Sequence, residues 1–178
     1  MANLKLKATS GGSVSFVNGD TASDLTVTFP AVTGTAMVSG NMPAFSAYAG
    51  SNQTVSNGVW TKATQDSEEF DTNNNFASSR FTPTVAGYYQ INGIILFNAG
   101  TNISRSIVAL YKNGSNFKQG GYSYVNNTVG PQSSSVSAVV YMNGSSDYIE
   151  LYGYVDGGGT LIFLNTQTWL NGSLVRAA

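Results

Sequence analysis

The acidic residues are the first candidates for chemistry. Asp66, Glu68, Glu69 and Asp71 crowd one stretch, and Asp147, Glu150 and Asp156 lie further on. Two carboxylates flanking a groove are what glycoside cleavage requires, and Glu68 and Asp156 are the acids to test for it. The polar neighbours of the first group read more simply as a solvated loop. Serines are abundant, but histidine is missing from the 178 residues. Nucleophilic catalysis would therefore need a lysine base. No Ser-x-x-Lys sequence occurs, and Lys62, Lys112 and Lys118 stand in strand or turn contexts that read as solvated. Cysteine is missing too, which removes disulfides and thiolate metal sites. Asp66–Asp71 lacks the order of an EF-hand loop. Gly157-Gly158-Gly159 opens no helix that could hold phosphate, and reads as a hairpin loop. The expectation is a chain with no catalytic residues, no cofactor and no metal.

Aromatic side chains remain. Tyr122/Tyr124 and Tyr152/Tyr154 are each two apart, so each pair shares one strand face. Tyr88, Tyr89, Phe97, Tyr152, Tyr154 and Trp169 are read as core or subunit-interface residues, since buried contacts favour large aromatics. Tyr122, Tyr124, Asn126 and Asn127 are read as loop residues and as the receptor-binding candidates.

The elements that position these groups are strands. Short β-branched and aromatic runs alternate with turn residues, and helical periodicity is hard to find. Asn-Gly, the strongest short hairpin signal, stands at 18–19, 57–58, 92–93, 113–114, 143–144 and 171–172. The pair at 92–93 lies inside the run 85–97, where a bulge or bend is expected. Strands are read at 4–8, 13–17, 24–29 and 35–38, and then at 44–49, 59–63, 79–82, 87–97, 104–112, 116–124, 133–142, 147–155, 160–165 and 168–175. Residues 66–75 are read as a polar connection. The chain divides into a β-rich anchor and trimerisation segment, 1–42, and a larger domain, 43–178. In the anchor, Leu4, Leu6, Leu25, Val27 and Phe29 alternate with polar residues, giving each strand one face to bury.

Charged residues make up 10% of the chain and the formal net charge is −1, against roughly 25% charged residues in an average domain. There is no basic footprint for nucleic acid. No apolar run approaches the length of a membrane span, so membrane insertion is not expected. The start, Met1–Lys7, lacks the apolar stretch of a secretory signal. Function outside a cell is therefore expected to follow lysis or assembly into a particle.

Residues 43–178 resemble the globular head of complement component 1q, which shares the tumour-necrosis-factor jelly roll. The resemblance runs in order through Pro43-Ala44-Phe45-Ser46-Ala47-Tyr48, Phe70-Asp71, Phe76, Arg80-Phe81-Thr82-Pro83 and Ala86-Gly87-Tyr88-Tyr89. It continues through Leu110-Tyr111-Lys112-Asn113-Gly114, Asp147-Tyr148-Ile149-Glu150-Leu151 and Trp169-Leu170-Asn171-Gly172-Ser173-Leu174. The family's collagen stalk is missing, and its Gly-Asp turn reads Gly144-Ser145-Ser146-Asp147. Residues 4–14, with Asp24–Ala31 and Gly34-Thr35, resemble bacteriophage tail-fibre and virion fibre segments. The two resemblances imply an all-β, jelly-roll β-sandwich that assembles as a homotrimer on a short β-rich anchor. They also imply a virion structural protein, made in the host cytoplasm and carried on the particle: a short tail fibre or receptor-binding protein. Its partners would be itself, other virion proteins through residues 1–42, and a host cell-surface glycan or protein. A capsid decoration protein without a receptor is the alternative, and a glycan-cleaving fibre enzyme is the alternative of another class.

Overall fold

The structure is a computed structural model. It describes residues 4–16, 26, 31, 37–38, 40, 42–128 and 130–178. The chain divides into two compact units, Met1–Gly34 and Thr35–Ala178. Met37 packs on the core of the second unit, so the expected division at residue 42 falls inside that unit.

In the first unit, β1 (Leu4–Lys7) and β2 (Ser13–Phe16) form an antiparallel hairpin. Leu4 pairs with Phe16 and Leu6 with Val14, so Leu6, Val14 and Phe16 share one face. Leu6, Val14 and Phe16 are exposed within the chain. Leu25, Val27 and Phe29 lie outside the described residues, as does the side chain of Leu4.

The second unit holds β3 (Ala44–Tyr48), β4 (Gln53–Val55), β5 (Thr61–Lys62), β6 (Ser67–Asp71), β7 (Phe76–Ala77), β8 (Arg80–Phe81), β9 (Gly87–Ala99), β10 (Ile103–Lys112), β11 (Ser115–Thr128), β12 (Gln132–Met142), β13 (Ile149–Gly157), β14 (Leu161–Phe163) and β15 (Trp169–Ala177). One sheet runs β11-β10-β13-β8-β7, with β5 also on β13. The other runs β4-β14-β9-β15-β3-β6, with β12 on the free side of β9. We call them the six-stranded and seven-stranded sheets. Among the described residues every strand pairing in this unit is antiparallel.

Alternation along β9 builds the interior. Tyr89, Ile91, Ile95 and Phe97 point inward and are fully buried. They meet Leu110, Leu151 and Val155 of the opposite sheet in one continuous core. Aromatic rings fill both ends. Phe45 stacks on Phe81 with centroids 4.1 Å apart, and Phe97 meets Phe163 edge-on at 5.3 Å.

Three local expectations change. Asn92-Gly93 is neither bulge nor bend, because β9 pairs with β12 in unbroken register from Gly87 to Phe97. Gly93 is there for the facing sheet: a Cβ would lie 2.6 Å from Leu151 Cδ1. Residues 66–75 are not wholly a connection either. Ser67–Asp71 pairs with β3 through a register shift at Glu69, and the turn that follows holds Asn74 at φ 53°. Gly157–Gly159 does not close a hairpin, since β13 and β14 belong to different sheets. At Asn113-Gly114 the hairpin reading holds: φ values of 53° and 78° join β10 to β11 in a turn that needs positive φ at both positions.

Candidate functional site

The outer face of the six-stranded sheet gathers most of the conspicuous side chains. β10 and β13 pair so that Arg105 opposes Asp156, Ile107 opposes Tyr154, Ala109 opposes Tyr152 and Tyr111 opposes Glu150. On the other side of β10, Arg105 opposes Tyr124 and Ile107 opposes Tyr122. Directly opposed residues share a face. Tyr122, Tyr124, Tyr152, Tyr154, Tyr111, Arg105 and Glu150 therefore stand together.

Ring contacts tie them into a ladder. Tyr111 stacks on Tyr152 at 3.8 Å, and Trp60 reaches Tyr111 at 5.9 Å and Tyr154 at 5.5 Å. Arg105 lies over the Tyr154 ring at 4.6 Å and donates from Nε to Asp156 Oδ2 at 2.7 Å. A further hydrogen bond to Tyr122, the largest influence, and the one to Asp156 raise the Arg105 pKa, so it stays charged throughout the useful pH range. Burial pushes the phenols of Tyr111 and Tyr152 up as well. At the other end Glu150, 2% exposed, accepts from Lys62 Nζ at 3.2 Å and from Arg80 Nε at 3.0 Å. Arg80 lies over the Tyr148 ring at 3.7 Å.

Tyr122 and Tyr124 are 57% and 76% exposed. They sit within β11, not on a loop, because β11 continues four residues past the expected end at Tyr124, to Thr128. Asn126 and Asn127 are in the same strand; their side chains lie outside the described set.

The residues expected as core or interface divide among three places. Tyr89 and Phe97 are core. Tyr152 and Tyr154 belong to the ladder. Tyr88 and Trp169 face outward on the seven-stranded sheet, where Tyr88 is 43% exposed and packs against Tyr141 at 5.5 Å. Tyr88 is thus a surface residue, not a core one.

The outward face of the seven-stranded sheet has a different character. Across it run Ser137, Asn92, Asn171 and Ser46, which are register partners on β12, β9, β15 and β3. Asn92 Nδ2 donates to Asn171 Oδ1 at 3.1 Å, and Ser137 Oγ donates to Asn92 Oδ1 at 2.8 Å. On these four strands, up to the register shift after Leu174, no charged residue stands on this face. Tyr88, Val139 and Tyr141 are exposed at one end, and at the opposite margin Glu69 of β6 accepts from Ser46 Oγ at 2.7 Å.

The acids do not form a pair. Glu68 lies on β6 of the seven-stranded sheet, whereas Asp156 is held by Arg105 on the other. Lys62 and Lys112 are ion-paired, not merely solvated. Asp147 of the Gly144–Asp147 turn is used internally. Its carboxylate accepts from Asn113 Nδ2 at 2.8 Å, Lys112 Nζ at 2.9 Å and Asn143 N at 3.1 Å. These donors, Asn113 first, hold it below the usual carboxylate range. Among the described residues no cluster of acids fit for a metal occurs.

No protein-family model matches the chain, and no curated protein matches it. Solved structures do. The globular domain of zebrafish complement 1qA protein aligns at TM-score 0.57 and 17% identity, over 76% of this chain and 99% of that one. Murine APRIL at pH 5.0 aligns at 0.55 and 11%, over 75% and 99%. Eiger TNF from S. frugiperda aligns at 0.53 and 12%, over 77% and 93%. The fold is a complement 1q/tumour-necrosis-factor-like jelly roll. At these identities the likeness is one of architecture. Within this jelly roll, sequence reasoning missed Arg105 and Arg80 as members of the aromatic face. The Arg105–Asp156 and Arg80–Glu150 partners are 51 and 70 residues apart, and only strand register brings them together.

Proposed function

We propose that the chain is a non-catalytic, homotrimeric adhesion protein of the virion-fibre type. In this reading the Met1–Gly34 unit attaches and the jelly roll presents the aromatic face to a host glycan or protein. The observation that carries it is the contrast between the two outer faces. Over β12, β9, β15 and β3 the seven-stranded sheet offers neutral amides and hydroxyls, with Tyr88, Val139 and Tyr141 beside them and Glu69 of β6 only at the far edge. Such a surface can be buried against copies without the cost of desolvating unpaired charge. The six-stranded sheet offers aromatic rings bracketed by arginines, a surface suited to stacking on sugar rings or peptide. The exposed apolar face of the β1–β2 hairpin and the fibre-like sequence of residues 4–35 support the attachment role. Three weak sites per trimer, and several trimers per particle, would bind by avidity.

The test is saturable binding of labelled full-length trimer to host cells, with virus adsorption as competitor. Binding that blocks adsorption, and that falls on Tyr122→Ala/Tyr124→Ala substitution, is expected. A verified trimer that binds no host cell would overturn adhesion and leave a decoration role on the particle.

A further inference from the structure

The Lys62–Arg80 end of the aromatic face has a feature the adhesion reading does not use. Lys62, Asn74, Ser78, Arg80 and Thr82 line a pocket of about 460 Å³. Two cations share one carboxylate there, because Lys62 Nζ and Arg80 Nη2 both approach Glu150 Oε1, at 3.2 and 2.9 Å. Glu150 is buried, while the two cations remain about one-third and two-fifths exposed. One positive charge is therefore left over, and it faces the pocket. The cations are also held in place before anything binds. Lys62 donates to Ser78 O at 3.0 Å, and the Arg80 guanidinium rests on Tyr148. Asn74 and Thr82 add polar side chains to the lining.

From these groups we infer that the pocket takes the anionic substituent, carboxylate or sulfate, of an acidic sugar. This rests on the reading of the neighbouring face as a glycan surface. Lys62 is the register partner of Tyr152, and Glu150 that of Tyr111. The stacked Tyr111–Tyr152 pair thus begins where the cations end. A sugar ring lying along those aromatics places its acidic group against Lys62 and Arg80, and its hydroxyls within reach of polar lining. A charge-assisted bond to a fixed guanidinium is the stronger kind of hydrogen bond. One surplus charge suits a monoanion. A polyphosphate or nucleic acid would call for a wider basic surface.

The test uses the full-length trimer and nuclear magnetic resonance of the Arg80 Nε–H group. Titrants are glucuronate and glucose 6-sulfate, with glucuronate methyl ester and glucose as uncharged controls. Both anions are expected to shift the Arg80 signal saturably at millimolar concentration, and the controls to leave it still. Lys62→Gln keeps the Arg80–Glu150 pair and is expected to weaken the anions about two- to fivefold. No shift with either anion, or an equal shift with the methyl ester or chloride, overturns the inference. Response to one anion only retains it and names the source. Cell binding that needs Tyr122 and Tyr124 but ignores Lys62→Gln leaves adhesion standing and refutes the acidic sugar. Cell binding missing altogether refutes adhesion, whatever the titration shows.

Discussion

Tyr89 is fully enclosed, and its hydroxyl donates to Val85 O at 2.6 Å. Burial pushes its pKa from 10.0 up to about 12. The stability this phenol contributes is therefore complete below pH ~10, where the unfolded chain is also protonated, and is lost as pH rises towards about 12. Tyr89→Phe is expected to cost about 1–2 kcal/mol, since it orphans the Val85 carbonyl, and to flatten that alkaline loss. Denaturant unfolding across pH checks both. Asp147 acts in the opposite sense: its depressed pKa adds stability above the usual carboxylate range, and that is lost as pH falls through the depressed value. Asp147→Asn is expected to flatten the acid limb. Phe97→Ala should cost about 3–5 kcal/mol, whereas Tyr88→Ala should cost under about 1 kcal/mol in the isolated fold. The difference between Tyr88 and Tyr89 could not be read from the sequence. Both parities of β9 carry apolar residues, Tyr88, Ile94 and Leu96 on one and Tyr89, Ile91 and Ile95 on the other. Alternation supplies two faces without saying which is inside.

Among the elements, the long strands were legible and so were several short ones, β5, β8 and β14 among them, but β4, β6 and β7 were not. β9, β10, β12, β13 and β15 carry enough alternating or turn-bounded residues to identify themselves. β4 and β7 have three and two residues, too few for any period. β6 reads Ser-Glu-Glu-Phe-Asp, whose acids look like a loop; it is a strand because β3 offers it a partner. An in-strand glycine here serves packing, as at Gly93. Gly153 lies in the middle of β13 beneath Phe163, whose Cζ would be 2.6 Å from an added Cβ. Gly153→Ala is expected to destabilise by about 1–3 kcal/mol through overpacking, measured by thermal or denaturant unfolding. The candidate site shares this limit. Its tyrosines were visible as pairs two apart, but Arg105, Arg80 and Glu150 join them only through register between β10, β11, β13 and β8.

For the whole molecule, the ordered motifs from Pro43 to Val175 carried the fold, and the solved jelly rolls agree with it. The proposed assembly rests on the chemistry of one sheet face. If copies bury the neutral face, a charge placed at its centre must be desolvated without a partner. Asn92→Asp is then expected to weaken assembly by about tenfold or more, while leaving the isolated fold's secondary structure unchanged. The direct measurement is the mass of the full-length chain in solution by sedimentation equilibrium at micromolar concentration. The expected result is a stable species of three times 18.7 kDa, dissociated by Asn92→Asp. A wild-type chain that sediments as a stable monomer at that concentration would contradict the trimeric adhesion protein at its foundation.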